Sequence, residues 1–235
     1  MFNAKKFKKY LPILLQEFKT RLLSILVLYI VVSGAIYYFA KDLLYKLILK
    51  STVNVQFIYT NIWDAFLSDL SITFYFSFVI VSPYIIYHLY FFISPALKSR
   101  EKKSLSHLMF FIFITNVCSN AITINYLLPM LAKTLIYSTE FYKPMISIKG
   151  YVSMFIDISF VLLIILQFPP VTVFLYRLHI LSIKAMKNSR KYVLLLFLCV
   201  SAIITPPDVL SQIIFTAVFY LLYELTILYI LVFDK

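Results

Sequence analysis

Two isolated carboxylates stand in stretches otherwise dense in cations. Glu17 lies in Glu17-Phe18-Lys19-Thr20-Arg21, and Glu101 is the one acid in Lys98-Ser99-Arg100-Glu101-Lys102-Lys103. An isolated acid on an otherwise basic face can act as an acidic receptor, the sharper reading of Glu17. Two plainer readings stand beside that one. Glu17 and Arg21, four residues apart, can pair on an interfacial helix, and Glu101 can form a solvated surface pair. Pro95, in Ser94-Pro95-Ala96-Leu97, ends or bends the helix before Glu101. A third acid, Asp208 in Thr205-Pro206-Pro207-Asp208-Val209-Leu210-Ser211-Gln212, is placed to cap the next helix. Gln167 precedes Pro169 and Pro170, while Asp157 and Glu224 fall in apolar runs; polar groups at such depth face a bundle interior or a wet cavity. The pair of prolines predicts a kink with freed carbonyls near Gln167. His88, His107 and His179 have no metal-ligand spacing, and interfacial solvation explains them.

The elements that carry these residues follow from composition. The 235 residues are 62% hydrophobic and only 14% charged, far from the balance of soluble domains. Continuous apolar runs in a chain of this kind predict membrane-spanning helices rather than a barrel. The predicted fold is all-α: one polytopic domain over 1–235, with a basic interfacial segment at 1–21 and six transmembrane helices near 22–40, 66–93, 105–135, 151–178, 192–205 and 210–233. The second, third and fourth are long enough to tilt or kink, and the fifth is short for a bilayer. Sixteen of the 22 Lys and Arg residues fall on the side holding both termini and the connections at 98–103 and 177–191. That side is therefore expected to face the cytoplasm, or an organelle's matrix or stroma. The net charge of +12 becomes a topology signal, and nucleic-acid binding loses its support. Lys5, Lys6, Lys8 and Lys9 lead into a segment with Glu17, Lys19 and Arg21, which argues against a cleaved signal peptide. Cys118 and Cys199 sit in apolar spans and imply no disulfide framework. Abundant Phe and Tyr with only 2 Gly suggest an AT-rich, organellar genome.

Taken in order along six spans, several strings resemble the TatC family, the multi-spanning subunit of the twin-arginine, Sec-independent protein translocase. They are Leu14-Leu15-Gln16-Glu17-Phe18-Lys19-Thr20-Arg21, Pro95-Ala96-Leu97 with Glu101, Gln167 before its prolines, Thr205-Pro206-Pro207-Asp208 with Ser211-Gln212, and Tyr220 with Glu224. The resemblance implies a cup-shaped bundle and no enzymatic activity. It implies that twin-arginine signal peptides of folded precursors bind at Glu17, Lys19, Arg21, Pro95, Leu97 and Glu101. Single-span TatA- and TatB-type partners would then dock near Gln167, Asp208, Gln212, Tyr220 and Glu224, with homo-oligomers expected and the proton motive force driving transport. No cofactor or metal is implied, and no phosphate-cradling glycine loop is present. Gln167 stands where the family commonly has an acid, and Phe18-Lys19 replaces the usual Leu-Arg. The mitochondrial inner membrane is the expected location, with a thylakoid or bacterial inner membrane as alternatives. Two other functions compete. A secondary transporter predicts an internal repeat, which the sequence lacks. A haem-handling respiratory subunit predicts histidine pairs at membrane depth, whereas the three histidines map near one face.

Overall fold

The computed structural model describes residues 4–50, 56–130, 145–204 and 209–233. Its first helix, α1 (Ala4–Lys50), is 47 residues long, or about 70 Å at 1.5 Å per residue. The basic interfacial segment, the first span and a charged extension carrying Lys41, Asp42 and Lys46 are thus one rod. Its middle turns present Val27, Ile30 and Val31 outward, the apolar surface that lipid requires.

α2 (Asp64–Ile93) runs back along α1. Three contacts fix the antiparallel register: Phe18 and Phe92 rings lie 5.6 Å apart, Ser24 Oγ and Tyr84 OH 2.6 Å, and Tyr29 OH donates to Phe74 O at 3.0 Å. Pro95 sits in a single 3₁₀ turn, Ser94–Ala96, after which α3 (Ser99–Ile122) re-enters. α3 passes into a π-helical turn at Thr123–Leu127, and Lys50 Nζ reaches across from α1 to Asn125 Oδ1 at 2.7 Å. α4 (Ile148–Arg177) continues through Pro169 and Pro170. It touches α2, α3 and both C-terminal spans, and so is the central helix. It ends with His179 in the left-handed region, φ 59°, a conformation that His tolerates better than most side chains. A short α5 (Ile183–Asn188) then leads to α6 (Arg190–Ile204) and α7 (Val209–Phe233).

Among the described residues, α1, α2, α3, α4 and α7 are each long and apolar enough to cross a bilayer. α6, with 15 residues, reaches about 22 Å and completes six membrane helices. The chain is therefore an all-α polytopic membrane protein.

Packing is distributed over three clusters rather than one core. Tyr75, Tyr151 and Phe155 centre the first, between α2, α4 and the far ends of α1 and α3. Phe197, Phe219 and Tyr223 centre the second, between α4, α6 and α7. Leu105, Leu108 and Met109 form the third, where Leu97 packs. At the end opposite the basic connections, β1 (Gln56–Ile58) and β2 (Met145–Ser147) pair in parallel.

Candidate functional site

At the basic end, Arg21 turns back along α1 and donates to Glu17 Oε1 from Nε at 3.1 Å and from Nη2 at 2.7 Å. Both bonds fall on one oxygen. Glu17 remains partly exposed, so this is a screened pair of modest strength. Phe18, the next residue, holds this turn against Phe92. Glu101 is the third residue of α3, and its Oε2 accepts from Lys98 N at 2.8 Å. That is the carboxylate half of a capping box and accounts for an acid there. Its other oxygen has no protein donor among the described residues. Pro95 and Lys19 are exposed, and Leu97 is half-buried. Glu17 and Glu101 belong to separate elements linked through the Phe18–Phe92 contact.

Deeper in the bundle, Gln167 joins α4 to α3: Thr115 Oγ1 donates to its Oε1 at 3.1 Å, and its Nε2 donates to Ile112 O at 3.3 Å. The structure thus gives this polar side chain partners within the chain. Gln167→Leu is expected to lower bundle stability by about 0.6–2 kcal/mol, read as a lower midpoint in detergent denaturation, with membrane insertion unchanged.

The remaining polar positions gather along α7. Gln212 Nε2 donates to Leu198 O at 3.2 Å. Glu224 accepts from Tyr220 OH at 2.9 Å and from Arg190 Nη2 at 2.7 Å. Arg190 opens α6, so the ion pair ties α6 to α7 at the basic end. A charge swap tests it. Arg190→Glu or Glu224→Arg alone should destabilise the α6–α7 contact, and the double swap should recover about 0.5–1 kcal/mol of coupling in a double-mutant cycle. Asp157, expected to face a bundle interior or a wet cavity, is exposed on α4, with Ser153 Oγ at 3.3 Å. Asp208 lies outside the described residues. The histidines lie on separate elements, and no cluster of metal-binding side chains occurs among the described residues.

Two features escape sequence reasoning. Asp64 is 1% exposed; its Oδ2 accepts from Thr60 Oγ1 at 2.5 Å, Asn61 N at 2.9 Å and Thr60 N at 3.2 Å. Lys149 Nζ lies 3.6 Å from its Oδ1. Inside the membrane, Tyr75 OH donates to Asn120, which donates in turn to Asn116 O at 2.8 Å. The signal for each is a polar residue in or beside an apolar run; Asp64 has donors three and four residues back, but Lys149 and the Tyr75–Asn120 pairing are far apart in sequence.

A multi-spanning bundle with structural clamps and a basic, acid-dotted end has the build of a membrane transport subunit, and the comparisons name its family. The family model described as Sec-independent protein translocase protein (TatC) matches residues 14–217. The chain belongs to this family and is a non-enzymatic component of the Sec-independent protein translocase. It is 29% identical over 228 residues to the TatC of Rickettsia prowazekii, covering 91% of this chain and 89% of that protein. It is 27% identical to an uncharacterized tatC-like protein of Nephroselmis olivacea, over 80% of this chain and 78% of the relative. A crystal structure of the twin-arginine translocase receptor TatC superposes with a TM-score of 0.78 at 27% identity, covering 92% of this chain and 98% of that one.

Proposed function

We propose that this chain is the receptor of a twin-arginine translocase. Its basic end, facing the cytoplasm or matrix, binds the paired arginines of a signal peptide through Glu17 and Glu101. The observation that carries the reading is the state of those two carboxylates: each stands among cations, and each has one oxygen not engaged by the contacts that hold it. An incoming guanidinium can pair there, whereas Lys19, Lys98 and Lys102 repel it elsewhere. Pro95 and Leu97 fix the turn that presents Glu101, and Arg21 holds Glu17 in place.

The translocase reading extends to partners. Single-span TatA- and TatB-type helices would dock against the α6–α7 side, near Asp208, Gln212, Tyr220 and Glu224, and near Gln167 beside α3. The chain would work in homo-oligomers, and the proton motive force would drive transport. Similarity to tatC-like proteins of Nephroselmis olivacea and Gracilaria tenuistipitata supports an organelle's energised membrane, and the mitochondrial inner membrane is the proposed location.

Photo-crosslinking tests the receptor reading. A probe at position 17 or 101 should capture an Arg-Arg precursor and release it when the pair is Lys-Lys. Equal capture of both precursors rejects the reading.

A further inference from the structure

A groove of about 440 Å³ opens between α3, α4 and α7. Its apolar lining includes Phe111, Pro170, Phe174 and Leu225. Ser104, His107 and Arg177 close one end, and Thr115 and Leu166 the other, beside Gln167. Ser104 and His107 lie in the first turns of α3, and Arg177 is the last residue of α4, so the polar end is the basic end.

From Ser104 to Thr115 is about 16 Å along the helix, half of a hydrocarbon core about 30 Å thick. The groove is one leaflet deep. A spanning partner helix would not stop at mid-membrane, as the groove does. A hydrocarbon tail matches the depth. At the polar end, Ser104 Oγ is buried with no hydrogen-bond partner among the described residues, a state that costs free energy unless a ligand relieves it. Beside it, the Arg177 guanidinium suits a phosphate.

We propose that this groove holds an anionic phospholipid of the basic-side leaflet, with an acyl chain along α4 and its phosphate at Ser104, His107 and Arg177. The apolar floor supplies burial, and the hydroxyl and guanidinium supply the headgroup preference.

The test uses the full chain in phosphatidylcholine nanodiscs, with Trp63→Phe removing the native indole and Phe174→Trp placing one in the groove. Brominated phosphatidylglycerol at low mole fraction should quench this tryptophan with about tenfold higher apparent affinity than brominated phosphatidylcholine. Ser104→Ala with Arg177→Gln should abolish the difference. Native mass spectrometry of the chain with Trp63 and Phe174 intact gives a reading independent of the reporter. It should retain added phosphatidylglycerol over phosphatidylcholine, and the double variant should not. Equal quenching or equal retention of the two lipids overturns the proposal. So does a groove that neither lipid reaches but an added single-span apolar peptide shields.

Discussion

Glu101→Gln should lower the affinity for a twin-arginine precursor roughly ten- to a hundredfold, the loss expected when one charge-assisted pair becomes a neutral hydrogen bond. The substitution separates two roles that the carboxylate combines. Glu101 accepts from Lys98 N at 2.8 Å as a cap, and a glutamine carbonyl can take the same bond. α3 should therefore start where it does now, and only the negative charge is removed. Glu17→Gln gives a parallel loss and frees Arg21, adding a nearby cation that opposes the ligand. The measurement is precursor binding to detergent-solubilised protein, Arg-Arg against Lys-Lys, for wild type and both variants. If the variants bind the Arg-Arg precursor as tightly as wild type, the two acids are structural and the receptor reading fails.

Asp64→Ala should be the most disruptive single substitution at the far end, lowering Tm by roughly 5–10 °C for a chain of this size. Two backbone N–H groups and the Thr60 hydroxyl lose their acceptor together, and Lys149 loses its counter-charge. Asp64→Asn keeps an oxygen for the three donors and gives up only the pairing with half-exposed Lys149, so most of the loss should return. Thermal denaturation in one detergent, scored for wild type, Ala and Asn, decides it. Equal losses for both variants would mean that the charge, not the acceptor, holds the end together.

The spans were legible because hydropathy is additive along a helix, and the family strings were legible because they are local. What the sequence hid depends on partners. The first span read as ending near residue 40, since Lys41, Asp42 and Lys46 lower the hydropathy, yet these residues are good or tolerable helix formers and α1 runs on to Lys50. Glu224 read as a lone acid at depth because Arg190, its counter-ion, lies 34 residues away. Gln167 was visible as polar, but Thr115 and Ile112, which take up its amide, were not. Tyr75, Asn116 and Asn120 are single uncharged residues in apolar runs, where averaging erases them. Asp64 stands beside Trp63 at a span edge and looks solvated until Thr60 and Asn61 fold over it.

The short parallel pairing of Phe57 with Ile146 has a bearing on how the molecule is made. Its two strands leave α1 and enter α4, so they belong to different helical hairpins threaded through the membrane one after the other. Neither strand can be satisfied until the second hairpin has crossed. Until then Asp64 waits without Lys149, and the first hairpin's outer edge stays open. The strap is therefore a late event in biogenesis, closing behind insertion rather than guiding it. An insertion intermediate arrested before residue 145 should leave Asp64 reachable by water-soluble carboxyl reagents, from which the finished protein shields it.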